Sequence, residues 1–565
     1  MRYKTPKEKS LDRRQLLKLL GSSAVGSSAL GSLFSGLVSG MAYGQATNNT
    51  ARNYVHLSMV GGPPRWMFDQ FLHPYTMPNS DTVFVPNGQV KTGFDPVSAG
   101  SPNLVPSYKW FSAQVAGETL HLPQLWSCTL PRPDGSSVPM TELLNHMFTL
   151  RGVDLQKDGH SLGRVRQLLP ANGRGSLDGL VADKSETPMP TVAVDLFATD
   201  GAFQSPKGIG QPVWNRQQGD NPISQYLAPF QYPGSLQNDS IFLRRKNLDQ
   251  LVDLAIEAIG KRTQLLNPET GGIVRDGINA RRLLRENFSN LPTMYYALRA
   301  KYYDLQRRCQ NRDIVGINDR AIPPAGLTDV MRTVQSTNGL GAITAINPDL
   351  RDILIPSYAA VASLGDACAT AELLLGMGYS AAVTSVIGAF GVNIMTANDN
   401  TYFGFSPDEH ITGSGISVIV NTFYYRALAA CLLELISAFK AKGIFENTVV
   451  HLTSEFPRMP RNDGAGSDHG VASGLYTLFS GAFSKPLVVG NIQVDSPLPG
   501  YSGTWGLGAN VYHEKTMGVL NLGHGSSTVA DLLRVRRPLP NFSSVLSETS
   551  QGVQSVIEEA KNVKS

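Results

Sequence analysis

The chain has 565 residues, 42% apolar and 17% charged, with 49 Lys and Arg against 45 Asp and Glu. That composition allows a sizeable core and excludes wholesale disorder. The net charge is only +4, and part of it sits in the first eighteen residues, so a broad basic face for nucleic acid is excluded. The 55 Gly and 35 Pro point to many turns, and no stretch after the N-terminus supplies the ~20 apolar residues of a membrane span.

Residues 1–46 read as an export signal rather than as part of the fold. Arg2, Lys4, Lys7 and Lys9 precede Asp12-Arg13-Arg14-Gln15-Leu16-Leu17-Lys18. The paired arginines, the apolar pair two residues on and the lysine resemble the twin-arginine export motif. Residues 19–38 are mildly apolar and rich in Gly, Ser and Ala, and Gly44 and Ala46 offer a cleavage site. The expected partner is the twin-arginine translocation machinery, and the expected location is the periplasm or beyond. No Cys lies near the cleavage site, which argues against a lipid anchor.

The mature chain, 47–565, is expected to be a single domain. It opens with an apolar run at 54–60 that reads as a buried strand, ended by Gly61-Gly62-Pro63-Pro64. A second strand is expected at 147–153, followed by a polar loop holding His160. Residues 161–245 look loop-rich and 246–310 helical, so an insertion is placed at about 161–345. Helices are expected at 358–375 and 416–442, the latter with Leu428, Cys431, Leu432, Leu435 and Phe439 on one face and Gly443 as C-cap. Strands are expected at 391–396 and 448–453. Strand and helix in alternation indicate an α/β fold with a mostly parallel sheet, whose ligands sit beyond the carboxyl ends of the strands. Cys368 and Cys431 fall in apolar helical patterns and read as core. A Cys128–Cys309 disulfide is allowed by an oxidising compartment. No C-x-x-C pair occurs.

Chemistry-bearing residues follow the expected strands. They are Asp408-Glu409-His410, Ser454-Glu455-Phe456-Pro457-Arg458, and Asp468-His469-Gly470. Carboxylates and imidazoles gathered at one sheet edge bind divalent cations, which activate water and stabilise charge on a phosphoryl or sulfuryl oxygen. An Asp-x-His pair shares a face of extended backbone, whereas an adjacent Asp-His pair converges on one ion only in a loop. The five Trp read as packing. His513 and His524 stand either as late site histidines or as packed ones. Gly506 and Gly508 lack the context of a nucleotide fingerprint, and Arg534, Arg536 and Arg537 read as a solvated face.

The order of these motifs resembles a family of exported bacterial proteins catalogued as domain of unknown function fifteen-oh-one, related to sulfatases and alkaline phosphatases. Members carry a strand ending in Ser-Glu-Phe-Gly-Arg, then Gly-x-Asp-His-Gly, an earlier Asp-Thr-His, and an opening strand followed by Gly-Gly-Pro. The resemblance covers roughly 54–160 and 350–535. It implies an alkaline-phosphatase/sulfatase-like sandwich with a mostly parallel central sheet and a long loop-rich and helical insertion. It further implies a divalent metal ion (zinc, calcium or manganese) held by Asp408, His410, Glu455, Asp468 and His469. Glu455, Arg458 and His160 would serve catalysis, with Arg458 holding an anionic group of a small ester substrate.

The chain departs from that pattern after Gly-Gly-Pro. Relatives place an Asp soon after it, whereas here Arg65-Trp66-Met67 follows and the nearest acid is Asp69. Pro457 replaces Gly, Met459 replaces Thr, and no nucleophile is named by the sequence. Two functions are therefore carried forward. One is an exported metal-dependent hydrolase of phosphate or sulfate esters. The other is a non-catalytic sulfatase-like module that binds an envelope or extracellular partner.

Overall fold

Asn53–Met59 forms strand β1, and all but its first residue are buried. A strand buried on both faces belongs inside a parallel sheet covered by helices on both sides. The computed structural model describes residues 51–70, 72, 110–157, 159–187, 189–195, 202–214, 221–227, 290–309, 361–388, 392–395, 402–405, 408, 410, 414–460, 467–490, 492–494, 505–508, 510–550 and 552–559. The expected signal at 1–46, Glu409, and the parts of the expected helices at 246–289 and 358–360 lie outside the described residues.

The other strands of the main sheet are β2 (Met147–Val153), β3 (Thr191–Val194), β4 (Val213–Trp214), β5 (Ala382–Ile387), β6 (Thr448–Ser454), β7 (Gly474–Ser480) and β8 (Leu487–Gly490). Their spatial order is β8-β2-β7-β6-β1-β5-β3-β4. Only β7 runs against the rest. Among the described residues the longer helices that flank the sheet are α1 (His160–Leu168), α2 (Leu177–Lys184), α3 (Leu291–Arg308), α4 (Leu364–Gly376), α5 (Ser414–Ala441) and α6 (Leu522–Leu532).

The period of two along β1 divides its side chains between two cores. Val55 and Leu57 join the cluster that holds Leu305 of α3, Leu373 of α4 and Leu432 of α5. Tyr54 joins a second cluster with Leu180 of α2 and Val529 of α6. The architecture is thus helix, sheet, helix, an α/β fold with a mostly parallel sheet. Helix α5 ends as expected: Gly443 has φ +68° and the Ile444 N–H donates to the Phe439 carbonyl at 3.0 Å. None of the described helices is long and apolar enough to cross a membrane.

Two expectations need correction and one is refined. The loop-rich stretch expected at 161–245 also holds, among the described residues, α1, α2, β3 and β4, and β3 pairs with β5 inside the sheet. The short lengths of β3 and β4 and the polar contact face of α1 leave no apolar period to read. The strand expected at 391–396 exists as Val392–Met395, but it forms an antiparallel hairpin with Tyr402–Phe405 outside the main sheet. All four cysteines are buried free thiols, so Cys128 and Cys309 are not bridged. Burial pushes the Cys128 thiol up to about 11.

Because β1, β2 and β6 run the same way, their carboxyl ends share one edge. Gly61-Gly62, Glu455 and, after a short connection, the start of α1 all follow those ends.

Candidate metal centre

Four side chains from three separate segments converge at this edge. His160 opens α1, Asp408 and His410 precede α5, and His469 closes the short strand Ser467–His469. One donor atom from each lies within 4.8 Å of the others. Nε2 of His410 is 3.0 Å from Nε2 of His469, and Nε2 of His160 is 3.3 Å from Oδ2 of Asp408. Ligand atoms around a tetrahedral ion sit about 3.3 Å apart, so small side-chain adjustments close this set on one cation. The side chains of His160, Asp408 and His410 keep 38%, 34% and 43% of their exposure, which leaves the centre open to solvent and to a ligand.

The atoms that point away from the centre are held as well. Glu455 Oε2 is 2.5 Å from His160 Nδ1. Arg458 Nη2 donates to Asp408 Oδ1 at 2.5 Å. Asp468 Oδ1 is 3.4 Å from His410 Nδ1. The ring of His469 lies on that of Phe456, centroids 3.7 Å apart and planes 27° from parallel. Backing contacts of this kind fix ring orientation and direct the second atom of each group to the ion.

The Gly-Gly turn after β1 braces this outer ring. The Gly61 N–H donates to Glu455 Oε2 at 2.9 Å. The carbonyls of Gly61 and Gly62 accept from Arg458 at 2.6 and 2.8 Å. Gly62 has φ +58°, and a Cβ there would lie 2.4 Å from the Phe456 ring. Only glycine therefore lets Phe456 pass close enough to carry His469.

Electrostatics follow from these contacts. The hydrogen bond to Glu455 raises the His160 pKa despite partial burial, with the charges of Glu455 and Asp408 adding to it. Partial burial opposes ionisation of Asp408, yet the hydrogen bond and charge of Arg458, with His160 and His410, hold its carboxyl below the usual range. Three imidazoles and one carboxylate suit a first-row divalent metal, whereas calcium is bound by oxygen.

The structure thus distributes the expected residues between two shells. Asp408, His410 and His469 stand in the cluster, and His160, expected to serve catalysis, joins them as the fourth donor. Glu455 and Asp468, expected among the ligands, stand behind His160 and His410. Arg458, expected to hold a substrate anion, is instead fully buried, with Nε and Nη2 bound to Gly62, Gly61 and Asp408 and Nη1 enclosed without a hydrogen-bond partner among the described residues. Asp69 is also fully buried, in an ion pair with Arg65, and accepts from Thr477 Oγ1 at 2.6 Å. His513 and His524 lie elsewhere: His513 Nε2 is 3.0 Å from the Ser544 carbonyl, and His524 completes the capping box of α6 with Asn521.

Sequence reasoning missed the contact face of α1. His160, Gly163, Arg164 and Gln167 share one face at helical spacing and sit on the end of β6. Arg164 donates to Glu455 Oε1 at 2.8 Å, and the Gln167 amide donates to the Ser454 carbonyl. The available signal was the H-x-x-G-R-x-x-Q spacing itself, which carries no apolar residue. Comparison of the chain with family models, with curated proteins and with solved structures returns no match.

Proposed function

We propose that this chain is an exported, metal-dependent hydrolase of phosphate or sulfate esters. In this reading it is a sulfatase-like member of the alkaline phosphatase superfamily, carried to the periplasm by the twin-arginine route. The observation that carries the reading is the convergence of His160, Asp408, His410 and His469 on one point at an open sheet edge. The donor set favours zinc or manganese over calcium. When bound, such a cation supplies Lewis-acid chemistry, lowering the pKa of water and drawing charge from an ester oxygen. The chain's own residues orient the site. Glu455 directs His160, Arg458 directs Asp408, Asp468 backs His410 and Phe456 supports His469.

The test is metal content and activity of the mature protein beside a His410→Ala/His469→Ala variant. One equivalent of a divalent metal in the wild type, absent in the variant, with hydrolysis of a p-nitrophenyl phosphate, phosphodiester or sulfate that follows the metal, is the expected result. A metal-free, well-folded wild type without esterase activity would sink the proposal.

One observation favours the second reading, a non-catalytic module binding an envelope partner. Asp69, the acid nearest the Gly-Gly-Pro turn, is spent on Arg65. Metal bound without turnover of any of the three ester classes is the outcome that would select it.

A further inference from the structure

We infer that Arg164 is the positioning residue of this centre: acting through Glu455, it sets the orientation of His160 and with it the affinity for a divalent cation. The inference rests on the reading of the four-residue cluster as a metal site.

His160 and Arg164 are one helical turn apart on α1, so both reach the same carboxylate. Glu455 is 1% exposed, and its two oxygens are divided between them. Oε2 faces His160 Nδ1 at 2.5 Å and accepts from the Gly61 N–H at 2.9 Å; Oε1 accepts from Arg164 at 2.8 Å. Arg164 is itself 8% exposed, so this pair is screened little by water. It provides the full positive charge that balances the buried carboxylate. Without it the buried Oε1 would lose its charged partner, and Glu455 would be held only through Oε2, by His160 and the Gly61 N–H, with its last torsion less constrained. His160 would then lose the fixed acceptor that aims Nε2 at Asp408.

The approach of α1 is specified in the same way. A Cβ at Gly163 would lie 2.1 Å from the Glu455 carbonyl, so glycine is what lets the helix seat there. Gln167 then ties the next turn to the Ser454 carbonyl. The contacts of Gly163 and Gln167 locate the helix; the contact of Arg164 locates the carboxylate.

The experiment uses the full mature chain and Co²⁺ as probe, with affinity read by competition against a chelator and geometry by the visible spectrum. Arg164→Met is expected to weaken Co²⁺ binding ~10–100-fold, the usual scale for loss of an outer-shell partner. Arg164→Lys, which keeps the charge but not the planar fork, should recover part of that loss. Arg164→Met/Glu455→Gln carries no unpaired buried charge and so keeps the fold, and it should bind Co²⁺ no more weakly than either single variant, because the two residues act as one unit. Wild-type affinity in Arg164→Met and in the double variant, or losses that simply add, would overturn the inference while leaving the metal site standing. A wild-type chain that binds no Co²⁺ would overturn the metal reading and this inference with it.

Discussion

Acidification should destabilise this protein through two histidines in its sheet, His56 of β1 and His451 of β6. They are register partners, ring centroids 5.3 Å apart, and are 3% and 0% exposed. Burial pushes the His56 pKa down to about 3 and lowers that of His451 well below the ordinary value, with His56 and Arg65 adding to the latter effect. Each makes a ring hydrogen bond that the neutral form can supply: His56 Nε2 lies 3.0 Å from Thr453 Oγ1 and His451 Nδ1 lies 2.9 Å from the Tyr54 hydroxyl, while His451 Nε2 is buried without a hydrogen-bond partner among the described residues. The unfolded chain takes up protons near pH 6.5 and the folded one does not, so stability is full above that pH and falls as pH drops toward 3. Between pH 7 and pH 5 the linkage for His56 amounts to about 2 kcal/mol, and His451 acts in the same direction. That is a large share of a typical 5–15 kcal/mol. The assay is urea unfolding at both pH values for the wild type, His56→Gln and His56→Gln/His451→Gln. Carboxylates contribute alike to all three, so the drop in stability should shrink by about 2 kcal/mol in the single variant and further in the double. Equal drops in all three proteins would refute the argument.

Three further outcomes follow from the same contacts. Asp69→Ala leaves the Arg65 guanidinium buried without its partner, and a loss of about 3–5 kcal/mol is expected from denaturant titration. Asp69 lies outside the cluster, so bound metal, measured by elemental analysis, should be unchanged; a parallel loss of metal would show that Asp69 serves the centre. Gly62→Ala forces a Cβ against Phe456 and should weaken metal binding, whereas Gly173→Ala, at φ +74° with open space around it, should cost only the ~1–2 kcal/mol of left-handed strain. Equal metal affinity in those two variants would remove Phe456 as the support of His469. Arg458→Met should lower metal affinity by freeing Asp408, and an unaltered affinity would mean that Arg458 only braces the Gly-Gly turn.

What the sequence made legible depended on the kind of residue each element turns toward its neighbours. β1, β2 and β6 are mainly apolar or β-branched runs, broken singly at residues such as His56, Arg151 and His451, and their bounds agree with expectation to within a residue. β5, with Thr384 and Ser385 in its centre, and β7, opening on Gly474, dilute that signal and passed unread. The motifs on either side of β6, Asp408-x-His410 before it and Asp468-His469 after it, gave three of the four converging donors, because Asp-x-His and Asp-His are recognisable as donor types. Their division into ligands and supports was not recognisable, since Glu455 and Asp468 differ from Asp408 only in which way their oxygens face. For Glu455 that direction is set by α1, which packs on β6 through glycine, amide and guanidinium rather than through leucine. A helix that docks by hydrogen bonds to a strand end shows no apolar period, so a search for apolar faces passes over the element that orients the site. The spacing of its polar residues is the informative quantity: His160, Gly163, Arg164 and Gln167 recur at three, four and seven, the period of a helix face written in the residues that hold Glu455.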